Sequence, residues 1–199
     1  MKKLAFSLLA IASFSATSFA GQEMVASKEY KQPIPEVGCF LDQELQIDVF
    51  GAYVDGNADR HAGYIRDHGW GGGIGVNYFF TRNIGIGVDG IWIYGKENAA
   101  ADVRNGSGDH TTFHNVTGSL IFRFPIDEIC VAPYVFVGGG FHVDGDQWAS
   151  AHAGVGLEYR VVPNKIGLFI DGRWTYFGDR YGHGDQNNFL GKAGIRFVF

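Results

Sequence analysis

Apolar and polar side chains alternate along most of the chain beyond residue 43. In the first such run, the apolar residues Leu45, Ile47 and Val49 are separated by the polar residues Gln46 and Asp48. Because successive side chains of a β-strand point to opposite faces, this pattern predicts strands with one apolar and one polar face. It predicts strands at residues 44–53, 70–79, 84–94, 112–124, 132–141, 150–160, 166–176 and 189–199. Residues 132–141 are apolar on both parities, so the faces of that strand cannot be assigned.

The last predicted strand indicates which face points inward. Lys192 and Arg196 share one face with Gly194, whereas Phe197 and Phe199 share the other. A strand with charges on one side and aromatic residues on the other suits a barrel with a polar interior and a lipid-facing exterior. The sequence therefore predicts an all-β fold, an eight-stranded antiparallel up-and-down transmembrane β-barrel over residues 44–199.

The predicted connections alternate in length, as in bacterial outer-membrane barrels with short periplasmic turns and longer outer loops. Residues 80–83, 125–131 and 161–165 form short connections, 142–149 an intermediate one, and 55–69, 95–111 and 177–188 long ones. With this topology, aromatic residues form two girdles of the kind found at membrane interfaces. The outer girdle comprises Tyr53, Trp70, Trp92, Tyr94, Trp148, Trp174 and Tyr176. The periplasmic girdle comprises Tyr78, Phe80, Phe122, Phe124, Tyr134, Tyr159, Phe197 and Phe199.

The N-terminal segment predicts export. Lys2 and Lys3 precede an apolar run, and Ser18 and Ala20 supply the small residues of a cleavage site, so residues 1–20 are predicted to be a signal peptide. Residues 21–43 contain two prolines and no clear alternation, which favours an extended periplasmic lead-in segment. No later run approaches the ~18 consecutive apolar residues of a membrane helix.

Composition fits this interpretation. The 30 glycines and 15% aromatic residues are high and the 19% charged residues are low, as expected for a chain with much lipid-facing surface and tight turns. The formal net charge of −5 argues against nucleic-acid binding, which depends on basic residues that neutralise phosphates.

The inward-facing charges are predicted to form an ion-pair network. The interior of an eight-stranded barrel is narrow enough for side chains to fill, and unpaired buried charges are costly. We therefore expect paired charges to block the lumen; a narrow or gated pore is the alternative. The predicted network comprises Asp48, Asp89, Arg123, Glu158, Arg160, Asp171, Arg173, Lys192 and Arg196.

The two cysteines, Cys39 and Cys130, are predicted to form a disulfide. Cys39 precedes the first strand and Cys130 lies in a periplasmic turn, and the periplasm is oxidising. The five residues from Cys39 to Glu44 reach at most ~17 Å, about the diameter of the barrel. A bridge would therefore lay the lead-in segment across the periplasmic mouth, although sequence alone also allows two unrelated cysteines.

These features resemble the small eight-stranded bacterial outer-membrane barrels: the OmpA transmembrane domain, OmpX and the opacity-type surface proteins. The resemblance covers residues 44–199 and rests on strand number, loop alternation and the terminal stretch Lys192–Phe199. It implies that Lys192, Gly194, Phe197 and Phe199 form the signal for insertion by the barrel-assembly machinery. It also implies a Gram-negative outer-membrane location, contact with outer-membrane lipid and lipopolysaccharide, a monomeric state, and adhesion to a host or other cell-surface ligand.

Candidate chemistry is sparse in the sequence. The outer loops are acidic and contain five of the seven histidines, but their spacing matches no recognised metal-ligand pattern. A lipid A-modifying enzyme would need a nucleophile or water activated by a positioned histidine. His114 lies near several threonines, yet no compact arrangement stands out. We therefore expect no metal, cofactor or catalytic residue, and a protein that is not an enzyme.

The favoured function is a structural or surface-interaction role through the long outer loops, with the lumen plugged by ion pairs. A narrow porin is the first alternative and a lipid A-modifying enzyme the second. The sequence names no ligand.

Overall fold

A computed structural model describes residues 38–56, 65–97, 110–143, 148–177 and 186–199. The predicted signal peptide 1–20, the lead-in segment up to residue 37 and most of the outer loops lie outside these residues.

The described residues form a closed antiparallel barrel, in which each strand pairs with the next and β8 pairs with β1. At the seam, the backbone N–H of Phe199 donates to the carbonyl oxygen of Leu45 at 2.8 Å. The predicted eight-stranded fold is therefore confirmed. The strands are β1 (Glu44–Gly56), β2 (Ile65–Phe79), β3 (Ile84–Glu97), β4 (His110–Arg123), β5 (Val131–His142), β6 (Trp148–Val162), β7 (Ile166–Phe177) and β8 (Gln186–Val198).

A single turn of 3-10 helix, Asp127–Ile129, lies between β4 and β5. No helix in the described part of the chain is long and apolar enough to cross a membrane.

The short connections 80–83, 124–130 and 163–165 lie at one end of the barrel, which we call the periplasmic end. The opposite end, which carries the longer connections, is the outer end. Several strands extend further at the outer end than the alternation predicted: β2 begins at Ile65 rather than Trp70, and β8 at Gln186 rather than Phe189. In β2, glycines stand where alternation would show a polar side chain, so the sequence pattern is weak there. The backbones of Gly69, Gly71 and Gly73 nevertheless pair with both neighbouring strands.

The outer surface is an apolar belt. Ile74, Val88 and Val155 are more than half exposed, as are many other outward residues of the strands. Trp70 and Trp174 project outward at the outer end. An apolar belt around a closed barrel is a lipid-facing surface, because neighbouring strands satisfy the backbone hydrogen bonds and the exterior offers mainly apolar side chains.

The faces of β5, which the sequence left open, are decided by pairing with β4 and β6. Tyr134 and Phe136 point inward and are buried, whereas Val135 and Val137 point outward. The assignment of Tyr134 to the periplasmic girdle is therefore wrong. Its ring lies inside the barrel because Gly156 on β6 leaves room for it: a Cβ atom on Gly156 would lie 2.3 Å from the Tyr134 ring.

Candidate functional site

The periplasmic part of the lumen is filled by a charge cluster that we call the lower network: Glu44, Asp48, Arg123, Glu158, Arg160 and Arg196. Glu44, the first residue of β1, accepts hydrogen bonds from Arg123, at 2.9 Å, and from Arg160 through the same carboxylate oxygen. Glu158 pairs with Arg160 at 2.6 Å. These four side chains are almost fully buried, so each charge depends on its partners for the polar contacts that water would otherwise provide.

Arg196 completes the lower network. Its Nε and Nη2 atoms each donate to one oxygen of Asp48 at 2.7 Å, a two-point pairing of planar groups. Its Nη1 atom donates to Glu158 at 2.7 Å, and Asn77 donates to Asp48 at 2.8 Å. Glu158 therefore joins the Asp48–Arg196 pair to the arginines below it.

A second cluster, the upper network, lies toward the middle of the lumen and comprises Asp89, Asp171, Arg173 and Lys192. One oxygen of Asp89 lies 2.7 Å from Arg173 and 2.9 Å from Lys192. Lys192 also lies 3.4 Å from Asp171, and Arg173 donates to Thr117 at 2.9 Å.

Tyr134 stands between the two networks. Its hydroxyl donates to Asp171 at 3.1 Å, and the guanidinium carbon of Arg196 lies 5.8 Å from the centre of its ring. One side chain thus contacts an acid of the upper network and a base of the lower network.

The two networks balance in charge. Among the described residues the buried lumen contains five acids and five bases, three of each in the lower network and two of each in the upper. The cavity between the networks has a volume of about 20 Å³. A water molecule needs about 10–15 Å³, so this cavity holds about one water. The arrangement is a neutral plug of paired charges.

Aromatic rings pack against the cations of the plug. The guanidinium carbon of Arg123 lies 3.9 Å from the centre of the Phe79 ring, and the Lys192 ammonium lies 4.8 Å from that of Phe50. Such contacts stabilise a desolvated cation by about 2 kcal/mol.

A disulfide-bonded cap covers the periplasmic end of the lower network. Cys39 and Cys130 form a disulfide with Cα atoms 5.4 Å apart, which confirms the predicted pairing. The next residue, Phe40, is 1% exposed, and its ring centre lies 4.8 Å from the guanidinium carbon of Arg123 and 4.9 Å from that of Arg160. The bridge therefore holds an aromatic ring across the mouth of the lumen.

Asp127 fastens this cap to the neighbouring turn. Its carboxylate accepts the backbone N–H of Cys39 at 3.0 Å and pairs with Arg82. Behind Phe40, the backbone N–H of Leu41 donates to Glu44 at 3.2 Å, which connects the cap to the lower network.

The outer part of the lumen has a different lining. One wall is apolar, formed by Ala52, Val54, Ile91, Ile93 and Leu190. The Ser119–His152 pair lies lower, beside the cavity between the two networks, which Ser119 lines. The Ser119 Oγ and His152 Nε2 atoms are 2.9 Å apart across Gly138. A Cβ atom on Gly138 would lie 2.8 Å from His152 Nε2, so the contact depends on glycine at that position. No described residue forms a hydrogen bond with His152 Nδ1.

The structure brings together all nine residues of the ion-pair network that the sequence predicted. Sequence reasoning left out Glu44, although it lies on the same parity of β1 as Asp48, and that parity was the available signal. It also left out Tyr134 and Asn77, whose roles depend on contacts across the barrel. The Ser119–His152 pair was missed because its residues are far apart in the chain.

The four residues of the predicted insertion signal lie on β8 and just after it. Lys192 belongs to the upper network, whereas Phe197 and Phe199 are exposed on the outer surface. Their role in insertion stays a prediction. No group of three or more potential metal ligands occurs in the described ranges, and most of the acidic outer loops lie outside them.

No family model matches the chain, and no curated protein matches it either. Among solved structures, the barrel is similar to outer membrane protein W of Escherichia coli, with a TM-score of 0.52, 16% identity, and coverage of 80% of this chain and 99% of that one. The chain has the fold of a small outer-membrane β-barrel. The fold implied by the resemblance is thus confirmed, and with the apolar belt it agrees with the predicted outer-membrane location.

Two further structures match over a similar span. The N-terminal barrel domain of Pseudomonas aeruginosa OprF gives a TM-score of 0.49 with 18% identity, covering 80% of this chain and 99% of that one. Neisserial surface protein A gives 0.49 with 18% identity, covering 78% and 96%.

Proposed function

We propose that this chain is a non-conducting outer-membrane barrel that holds its outer loops at the cell surface, where they meet a host or other cell-surface ligand. The observation that carries the proposal is the neutral plug of five acids and five bases across the lumen. The barrel acts as a monomer in contact with outer-membrane lipid and lipopolysaccharide, after insertion by the barrel-assembly machinery.

The plug and the cap support the absence of conduction. A channel needs a continuous water-filled path, and the cavity between the networks holds only about 20 Å³. Below it, the Phe40 ring packs against Arg123 and Arg160, and the neighbouring Cys39–Cys130 disulfide holds it there. Opening a path would require several buried ion pairs to separate, and each separation leaves charges uncompensated.

The length of the strands supports a role at the surface. A transmembrane β-strand needs ~9–11 residues, whereas β2 and β6 have 15 residues each. In β2 the extra length lies beyond Trp70, the outward aromatic residue that marks the outer interface. β2 therefore continues past this interface, where Gly69 and His68 still pair with β1 and Ile65 pairs with β3, and it carries the outer connection beyond the membrane.

Conductance in a planar lipid bilayer tests the plug. We expect the refolded barrel to give no stable channel, in the presence or absence of a reductant that opens the disulfide. A reproducible channel would contradict the proposal and favour a narrow porin. Arg123, Arg173 and Asp89 would then be the side chains to mutate for ion selectivity.

Adhesion assays test the role of the loops. Cells that display the protein are compared with cells that display a variant in which residues 98–109 are replaced by a Gly-Ser linker of equal length. We expect the variant to fold and to lose adhesion to host cells. Equal adhesion of the two would remove loop 98–109 from the proposal, and equal adhesion after all outer loops are replaced would overturn the surface role.

We also propose that the protein is not an enzyme. Ser119 and His152 have the separation of a nucleophile and its base, but an activated base also requires a third group to orient its ring. Among the described residues none forms a hydrogen bond with His152 Nδ1. Lipid A mass spectra of cells with and without the protein test this, and a changed acyl pattern that depends on Ser119 would contradict it.

A further inference from the structure

Three neighbouring strands, β1, β8 and β7, carry glycine or alanine instead of large outward side chains over a patch of the lipid-facing belt. In one row of paired residues, Tyr53 of β1 is followed by Gly191 of β8 and Gly172 of β7. In the adjacent row toward the periplasm, Gly51 of β1 is followed by Ala193 of β8. Directly paired residues project to the same face of a sheet. Gly51, Gly172, Gly191 and Ala193 therefore form one continuous floor of small residues on the outside of the barrel.

Large side chains surround this floor. Trp70 and Tyr53 stand on one side, with ring centres 4.6 Å apart, and Val155 and Ile170 stand on the other. Phe189 borders it toward the outer end, where its ring lies over Gly172. Together the floor and walls enclose an apolar groove of about 790 Å³.

The floor of the groove is open at Gly191 and Gly51, whereas the Phe189 ring covers it at Gly172. No heavy atom lies within 4 Å of where a Cβ atom on Gly191 would be placed, and the nearest to that of Gly51 is a backbone oxygen at 4.0 Å. By contrast, glycines that point into the lumen, such as Gly156, are covered by a ring. An elongated apolar group in the groove could therefore contact the backbone of the strands directly.

The position of the groove identifies its occupant. It is continuous with the lipid-facing belt, which is the interface of the barrel with the membrane, and it begins at Trp70 and Tyr53, the aromatic residues of the outer interface. A second copy of the chain fits it poorly, because a two-fold interface places the same patch against itself and two concave grooves leave a void. The remaining apolar partner at this depth is an acyl chain from the outer leaflet.

We propose that the groove over β1, β8 and β7, with walls on β2 and β6, is a specific site for an acyl chain of lipopolysaccharide, the lipid of the outer leaflet. Small residues on the floor let the chain approach the backbone closely, as small residues do between packed membrane segments. Aromatic walls near the interface leave the headgroup in the polar region above.

The test measures lipid retained by the folded barrel. The protein is reconstituted in nanodiscs that contain lipid A and phosphatidylethanolamine, released into detergent and analysed by native mass spectrometry. We expect wild-type barrels to retain lipid A in preference to the phospholipid. In Gly191→Leu, the new side chain occupies the groove and displaces about two methylene contacts, so retention falls roughly tenfold.

Gly118→Leu is the matched control. Gly118 also faces outward, on β4, and the atom nearest to where its Cβ would lie is a backbone oxygen at 3.9 Å, but this glycine lies away from the groove. We expect this variant to retain lipid A as the wild type does. If Gly191→Leu fails to fold, as judged by heat-modifiable migration in gels, Ala193→Leu repeats the test from an exposed floor position.

Three results would overturn the inference. Equal retention of lipid A and phospholipid would mean that the groove holds ordinary surrounding lipid. Equal loss in Gly191→Leu and Gly118→Leu would mean that any added leucine disturbs the belt. Dimers that Gly191→Leu abolishes would mean that a second copy is the occupant. The inference needs only a membrane-spanning barrel, so it stands or fails independently of conductance and adhesion.

Discussion

The periplasmic half of the lumen is filled by charged side chains, whereas one wall of the outer half is apolar. Arg123, Glu158 and Arg196 contact partners on several strands in the lower half. Ile91 and Leu190 in the outer half belong to one apolar cluster. A buried charge needs a specific partner in a specific geometry, while an apolar side chain needs only a neighbour of suitable volume. The two halves should therefore respond differently to similar substitutions.

The largest expected effect comes from Arg196→Met, which keeps an unbranched side chain but removes the charge. Asp48 and Glu158 then lose their shared cation, and we expect the free energy of unfolding to fall by about 3–5 kcal/mol. Urea unfolding of the refolded barrel in lipid vesicles measures this. A loss below about 1 kcal/mol would mean that the lower network adds little to stability.

Leu190→Met is the matched control in the outer half. It conserves volume against the apolar wall, and we expect a loss below about 1.5 kcal/mol. The double variant Asp48→Asn with Arg196→Met sharpens the contrast further. Because removal of both partners leaves fewer uncompensated charges, its loss should be smaller than the sum of the two single losses by about 0.5–3 kcal/mol.

Removal of the disulfide should have the next largest effect. We expect the Cys39→Ser, Cys130→Ser double variant to lose about 2–4 kcal/mol, because the bridge links residues 91 positions apart and so closes a long loop in the unfolded chain. Unfolding with and without a reductant checks this: reductant should destabilise the wild type and leave the variant unchanged. Two free thiols in the intact mass of the untreated protein would contradict the bridge itself.

The smallest effect should come from Arg82→Gln at the edge of the cap. Arg82 pairs with Asp127, but both side chains are partly exposed, so we expect a loss below about 1 kcal/mol. The same urea titration measures it. A loss as large as that of Arg196→Met would mean that Asp127 depends on Arg82 to hold the cap over the lumen.

Much of the barrel could be predicted from alternation because each strand has one lipid-facing side. Asp48 and Arg196 were placed inside by parity alone, and the disulfide followed from two cysteines at the same end. The faces of β5 could not be predicted, since Tyr134 and Val135 are both apolar enough for either environment. Parity separates inside from outside only where the two environments select different residues.

The sequence alone determined the number of strands, the end of the barrel that carries the short turns, and the set of charges that point inward. Only the tertiary structure decided which charges meet, because partners such as Asp48 and Arg196 come from strands whose relative register is set by closure of the barrel. The same register aligned Gly51, Gly191 and Gly172 into one groove on the outer surface. Alternation with period two fixes the face of each side chain, but it carries no information about its neighbours on other strands.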